Sequence, residues 1–354
     1  MAVKTKAGEK GSLSKQYGGV HAGGWVDLFP KAWIPYIQLC RLSPPAGLLL
    51  IFFPHLFGAI HAGTTHHLPI NEVARVSVLL LGGSFLVNNA GHAWNDLVDA
   101  DIDAKIARTR TRPIPRGAVS KTAAFLFTVS QAIGALMFLL PLPMDAGIAA
   151  LASSLATVYY PFAKRHFPAP QLILGFCLTW GIMVGSAGVG VPAPWTDPST
   201  VYLFIASALW VIIYDTIYAH QDLADDLKIG VKSTAVMFGE WARPALWLLW
   251  ASMSASFVAS GLYGELGLGY YAVSVPGAVL SIGVMVAKVD LKDPASCWAW
   301  FSQGIVTGAV IASGLLGEYL LRSLSLEYPN FEFVAQAQML WNAVREQGPD
   351  FVRS

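Results

Sequence analysis

The chain reads as an all-α integral membrane protein, a bundle of nine transmembrane helices, and three observations lead there. Apolar types make up 55% of the 354 residues and Asp, Glu, Lys and Arg only 13%, about half the roughly 25% charge of a soluble domain. Mean hydropathy is +0.52. Stretches of the order needed to cross a hydrocarbon core of about 30 Å recur without an acidic or basic residue. They fall at 44–61, 76–92, 122–144, 146–162, 170–191, 199–214, 245–264, 266–287 and 303–317. The third and fourth are parted only by Asp145 in PLPMDAGIAA, which predicts a tight helical hairpin; the ninth is the shortest.

The basic residues orient the spans. Lys105, Arg108, Arg110, Arg112, Arg116 and Lys121 follow the second span, Lys164 and Arg165 the fourth, Lys228, Lys232 and Arg243 the sixth, and Lys288 and Lys292 the eighth. The loops after the third, fifth and seventh spans carry no Lys or Arg. By the positive-inside rule the N-terminus and the charged loops face the cytosol and the C-terminus lies across the membrane. Residues 1–24 read as a cytosolic tail without a secretory or mitochondrial leader pattern. Segment 25–43, WVDLFPKAWIPYIQLCRLS, reads as an amphipathic interfacial helix. Residues 44–322 form the nine-helix domain and 323–354 a polar C-terminal tail. The expected location is an endomembrane rather than the mitochondrion.

Composition also excludes classes. Lys+Arg number 23 against 22 Asp+Glu, so no nucleic-acid partner is expected, and no obligate protein partner is evident. Cys40, Cys177 and Cys297 stand far apart with no CxxC, so neither a disulfide framework nor a zinc ribbon is indicated.

The chemistry gathers in two acidic clusters. In NDLVDADID, Asn95, Asp99 and Asp103 recur every four residues, one helical face, with Asp96 beside them. After the sixth span Asp215, Tyr218, Asp222 and Asp226 again share a face. The orientation puts both clusters at one membrane surface. Like charges so close repel unless a cation joins them, and carboxylate and amide oxygens suit Mg²⁺ that bridges to substrate phosphates. With Arg and Lys close behind, the pair can clamp a magnesium diphosphate. The plainer alternative is that the acids only pair with Arg108, Arg110 and Arg112 in a solvated loop.

These residues carry a resemblance. NDLVDADID followed by RTRTRPIPRG resembles the first signature of the UbiA-type intramembrane prenyltransferases, through Asn95, Asp96, Asp99, Asp103, Arg108, Thr109, Arg112, Pro113 and Gly117. YDTIYAHQDLADDLKIGVKSTA is similar to the second, through Asp215, Tyr218, Asp222, Asp226, Lys228, Gly230, Lys232, Ser233 and Thr234. Arg41, Leu42, Pro45 and Gly47 resemble the family's entry into the first helix, and Tyr160-Pro161 with Lys164-Arg165 its short basic loop. One departure stands out: after Asp293, Pro294, Cys297 and Phe301, Gly304 occupies a position where Asn is usual.

The resemblance implies a bundle with a central prenyl-diphosphate cavity, embedded in the lipid bilayer and using Mg²⁺. An isoprenyl diphosphate ionises there and an aromatic acid acceptor attacks. By that resemblance Asn95, Asp96, Asp99, Asp103, Asp215, Asp222 and Asp226 would hold metal. Asp99, Asp103, Asp222, Asp226 and Tyr218 would be catalytic; Arg41, Asn95, Arg108, Arg112, Arg165 and Lys228 would bind substrate. Arg165 matches the arginine that the 4-hydroxybenzoate branch sets against its acceptor's carboxylate. Tyr159, Tyr160, Trp180, Tyr214 and Tyr218 are candidate aromatic faces for a cation. The divergent entry Arg41-Leu42-Ser43-Pro44-Pro45 tilts the reading to fungal relatives that farnesylate orsellinic-type acids in meroterpenoid pathways, with ubiquinone-pathway 4-hydroxybenzoate prenylation as the alternative.

Two weaker signals read blandly. His55, His61, His66 and His67 suggest a hydrated polar turn rather than a zinc site, and Gly185-Ser186-Ala187-Gly188-Val189-Gly190 suggests small-residue helix packing rather than a nucleotide loop. A cation-coupled transporter is the competing class, but its carboxylates would sit at mid-membrane rather than gather at one surface.

Overall fold

The computed structural model describes residues 24–327, with side chains through residue 325. Among them are nine helices long and apolar enough to cross a membrane, and no strand. The spans are Ala46–Thr65, Ile70–Val98, Lys121–Leu139, Met144–Ala163, Pro170–Gly188, Pro198–Ile229, Thr234–Tyr263, Tyr270–Lys288 and Pro294–Ser325. The protein is a multi-pass membrane protein. The expected tails, 1–24 and 323–354, lie almost wholly outside the described residues.

Several boundaries move for physical reasons. The second and sixth spans run on as helix into the acidic motifs, because backbone hydrogen bonding continues past the end of the apolar run. The ninth span is not the shortest. It starts at Pro294, capped by Asp293, whose carboxylate accepts the N–H groups of Ala295 and Ser296 at 3.0 and 3.2 Å. The expected interfacial helix is two short ones, a 3₁₀ turn Trp25–Leu28 and a helix Ile34–Leu39. Pro30, which has no N–H to donate, lies between them. Trp25, Leu28, Phe29 and Trp33 are exposed, as an interfacial segment requires, but Gln38, Leu39, Cys40 and Arg41 are buried.

The first span is the hub, with 72% of its apolar window buried. It packs against the second, fifth and ninth spans. Its contact with the fifth is backbone to backbone. A Cβ on Gly58 would lie 2.0 Å from the Ile182 carbonyl oxygen, and one on Gly185 2.0 Å from that of His55. Ser186 Oγ donates to the Gly58 carbonyl at 3.0 Å. The small residues of the Gly185–Gly190 run therefore serve helix packing.

The expected third–fourth hairpin does not form as a packed pair. The third span lies along the second, while the fourth packs on the fifth and more lightly on the second. Only 6% of the third span's window is buried, so its apolar surface faces lipid. The histidines also differ from the hydrated turn expected. His55 and His61 are inside the first span: His55 Nδ1 bonds the Ile51 carbonyl at 2.9 Å, and His61 Nε2 bonds Ser199 Oγ at 2.7 Å, joining the first and sixth spans. Only His66 and His67 are at an exposed turn.

Replacing Gly185 by Val should destabilise the fold by about 1–3 kcal/mol or more, since backbone cannot yield to the new methyls. Gly147→Ala, where a Cβ meets nothing within 4 Å, should be neutral or slightly stabilising. Thermal unfolding in detergent compares the two; equal midpoints would contradict the packing.

Candidate active site

The site is built at the ends of the second and sixth spans. The second span's helix ends at Val98, and a further turn, Ala100–Asp103, carries its hydrogen bonding on. Asp99 N donates to the Asn95 carbonyl at 2.9 Å and Asp103 N to the Asp99 carbonyl at 2.8 Å. The four-residue register of the motif thus survives. Asp96 is 0%, Asp99 3% and Asp103 4% exposed, so these carboxylates are not solvated and require partners.

Each finds a cation. Arg41 Nη2 and Arg112 Nη1 converge on Asp96 Oδ1 at 2.6 and 3.2 Å, and Arg112 Nη1 also donates to Asp103 Oδ2 at 2.8 Å. Arg41 holds φ at +53° to reach its place, a left-handed conformation costly for a side chain with a Cβ. Lys164 Nζ donates to Asp99 Oδ2 at 2.8 Å and Asn95 Oδ1 at 3.2 Å, and lies over the Tyr160 ring at 4.8 Å. Arg165 reaches Asp99 Oδ1 at 3.3 Å and is held by the Pro161 and Val98 carbonyls at 2.7 and 2.8 Å.

The two clusters meet through Arg108. Its fork grips Asp222, Nε to Oδ1 at 2.9 Å and Nη2 to Oδ2 at 2.5 Å, and Nη1 donates to the Tyr218 hydroxyl at 2.8 Å. Arg108 and Arg112 lie on one loop, so a segment that grips Asp96 and Asp103 also grips Asp222. Asp226 is buried, and Lys164 lies within electrostatic reach of both Asp215 and Asp226. Gln171, beside Asp215, accepts a hydrogen bond from Thr234 N at 2.8 Å.

Charge at the loop follows from this pairing. Burial pushes the Asp103 carboxyl above the usual range, with Asp96 and Asp99 adding to the effect, although Arg112 pulls it back. Burial, the largest single effect, would lower Arg108, Arg112 and Lys164, but the surrounding anionic groups together, led by Asp222, Asp103 and Asp99 respectively, outweigh it and hold all three above their ordinary values. They are permanent cations.

The structure thus brings together Arg41, Asn95, Asp96, Asp99, Asp103, Arg108, Arg112, Arg165, Tyr218 and Asp222. Lys228 stands apart, 73% exposed and 3.5 Å from Asp225. Tyr159 is exposed and hydrogen-bonded to His166, and Trp180 stacks on Phe176; neither belongs to the cluster. The acids do pair with Arg108 and Arg112, as the plainer alternative had it, but in a buried network rather than a solvated loop. Arg110 has no part in it.

Among the described residues no three acidic, His or Cys side chains form a ready metal-ligating group, because each carboxylate is drawn to the cation between it and the next. The donor set still fits a hard cation, because its carboxylates and the Asn95 amide all offer oxygen. Lys164 is a cation of the site that the sequence motifs did not assign a role. Its signal was its place four residues after Tyr160, one turn on, in the short basic loop.

The profile of the UbiA prenyltransferase family matches residues 51–311. A prenyltransferase, stbC, of Stachybotrys bisbyi is 35% identical, covering 86% of this chain and 92% of that one. A mitochondrial 4-hydroxybenzoate polyprenyltransferase of Schizosaccharomyces pombe is 33% identical, covering 84% of each. Among solved structures, the apo UbiA homolog of Aeropyrum pernix K1 superposes with a TM-score of 0.66 at 24% identity, over 75% of this chain and 97% of that. A UbiA homolog of Archaeoglobus fulgidus bound to DMAPP and Mg²⁺ superposes with a TM-score of 0.53 at 17% identity, over 78% and 99%.

Removing one partner of a buried pair leaves an uncompensated charge. Asp96→Ala should therefore cost roughly 3–5 kcal/mol of stability, with Arg41 and Arg112 left facing each other. Unfolding in detergent measures it; a loss of activity at unchanged stability would make Asp96 a chemical residue instead of an anchor.

Proposed function

Because the chain belongs to the UbiA prenyltransferase family and is a membrane-bound aromatic prenyltransferase, we propose that it prenylates an orsellinic-type aromatic acid. The group transferred is farnesyl, from its diphosphate to a ring carbon, in meroterpenoid biosynthesis on the cytosolic face of an endomembrane. The observation that carries the reading is Arg108, whose fork joins Asp222 and Tyr218 of one motif to the loop that neutralises the other.

The residues divide the work by charge. An entering diphosphate offers anionic oxygens to Arg108, Arg112 and Lys164, which can exchange a carboxylate for a phosphate oxygen without losing a partner. Mg²⁺ held by Asp99, Asp103, Asp222 and Asp226, with Asn95 and Asp215 at its margin, would neutralise the leaving diphosphate. Asp96 stays outside that set as the anchor of Arg41 and Arg112. When the allylic C1–O bond breaks, its electron pair leaves with the diphosphate, and the ring of Tyr218, whose hydroxyl meets Arg108, can stabilise the cation. The acceptor's ring carbon bonds C1 and loses its proton to an anionic oxygen of the site. Apolar helices keep out the water that would quench the cation.

Arg165 suits the acceptor's carboxylate. Its side chain is 37% exposed, against 6–22% for the other paired cations of the site, and a guanidinium can meet a carboxylate bidentately. A 4-hydroxybenzoate polyprenyltransferase aligns about as well as the fungal prenyltransferase stbC, so 4-hydroxybenzoate is the competing acceptor.

Membranes incubated with farnesyl diphosphate and each acid, read by product mass, should give the prenylated orsellinic-type product. Chelation should abolish it and Mg²⁺ restore it. Asp99→Asn and Asp222→Asn should each lower transfer by roughly hundredfold or more; near-full activity in both would remove the metal assignment. Arg165→Leu should raise the acceptor's KM by about tenfold or more, the size of a charged hydrogen bond, and leave the donor's KM alone. An unchanged acceptor KM would end the carboxylate role.

A further inference from the structure

At the end of the bundle opposite the acidic motifs lies a cavity of about 330 Å³, within the size range of small-ligand sites. The end of the first span, the turn after it, the start of the second span and the last turns of the ninth enclose it. Tyr319 ties these elements together, its hydroxyl donating to the Leu68 carbonyl at 2.7 Å. Thr64, His67, Asn71, Arg322 and Ser323 supply polar lining, and no carboxylate is among the lining residues.

Arg322 stands against the charge pattern of its surroundings. Among the described residues this end of the bundle holds one other Lys or Arg, Arg75, and that side chain is spent on Glu72 at 2.6 and 3.0 Å. An arginine on the far side of a last span is rare and calls for anionic company. Glu318, 3% exposed, provides part of it. Its carboxylate accepts Arg322 Nε at 2.7 Å, Gly267 N at 2.8 Å and Gly269 N at 3.0 Å, so three donors already hold it. Arg322 Nη2 donates to the Glu265 carbonyl. These contacts fix the guanidinium and leave Nη1 with no partner among the described residues. The Asn71 amide and the His67 ring on the same cavity have none either.

We propose that this cavity binds a phosphate group through Arg322, and that the phosphate is the headgroup of an anionic lipid of the leaflet on that side. A guanidinium held in place by other contacts loses little freedom when it meets a phosphate, and its planar N–H groups match phosphate oxygens. The asparagine amide and the imidazole add neutral donors. The flank of the cavity favours a lipid as the source. Leu316, Leu320 and Leu324 of the ninth span are exposed and recur every four residues beside Tyr319 and Ser323. Acyl chains attached to the headgroup can follow that apolar stripe toward mid-membrane, whereas a free phosphate makes no use of it. The bound headgroup bridges the first, second and ninth spans at the end remote from the charged cluster, and the proposal does not depend on the prenyl-transfer reading.

The test is lipid retention by the full chain in detergent, read by native mass spectrometry with phosphatidylglycerol and phosphatidylcholine at equal concentration. Thermal unfolding with phosphatidylglycerol or inorganic phosphate runs beside it. The wild type should retain phosphatidylglycerol better than phosphatidylcholine, whose choline already neutralises the phosphate. Arg322→Gln should weaken phosphatidylglycerol retention roughly tenfold or more, the size of one charged hydrogen bond. Ser323→Phe, which fills the cavity and leaves the Arg322–Glu318 pair in place, should weaken it likewise, and decides alone should Arg322→Gln fail to accumulate. The charged cluster at the other end also attracts phosphate, so the deciding quantity is the change from wild type to variant. Retention unchanged in the variants, or equal for the two lipids, overturns the site. Protection from unfolding by inorganic phosphate equal to that by phosphatidylglycerol, and lost in the variants, overturns the lipid as the source of the phosphate.

Discussion

A carboxylate enclosed by a lipid-embedded bundle has to be met by a cation, and that requirement organises the whole polar end of this molecule. Asp96 is its centre. With no exposed surface it draws Arg41 from the entry segment and Arg112 from the loop after the second span. Arg41 makes this contact from a left-handed backbone conformation. Arg112 closes the loop onto Asp103 as well, and the closed loop presents Arg108 to Asp222 of the sixth span. Lys164 and Arg165, at the end of the fourth span, close the remaining side on Asp99. Elements distant in the chain are thus joined by charges that none could bury alone.

The same network explains how a stable arrangement can be a reactive one. Its cations are paired, so they do not destabilise the fold, yet a diphosphate offers them oxygens equivalent to those they already hold. Under the proposed function, binding would be an exchange of partners rather than the desolvation of bare ions. The carboxylates released by that exchange would be oxygen donors of the type that suits Mg²⁺. Tyr218 belongs to both layers: its hydroxyl accepts from Arg108, and its ring packs on Phe301 where the aromatic part of the bundle begins.

Beneath the charged rim the fold is held by close backbone contact. The first span can sit centrally because Gly58 and Gly185 let it approach the fifth with no side chain between. That contact carries the ridge of Phe53, Phe57 and Trp210 into the core. The third span makes no such approach and lies on the second with its apolar surface towards lipid.

What the sequence by itself determined is what depends on neighbours along the chain. Runs of apolar residues set the spans, the alternation of charged loops put both acidic motifs at one surface, and the spacing of Asn95, Asp99 and Asp103 put them on one helical face. The motif residues were enough to recognise the UbiA prenyltransferase family. Tertiary structure decided whatever depends on which faces meet. Hydropathy is equal all round a lipid-facing helix, so nothing in PLPMDAGIAA said that the third span would pack on the second instead of the fourth. The acids could not name their partners, because a cation 55 residues away competes equally with one nearby until the helices are in place. His61 joined Ser199 inside the bundle for the same reason. Side-chain chemistry is written locally, and its pairing is written only when the bundle closes.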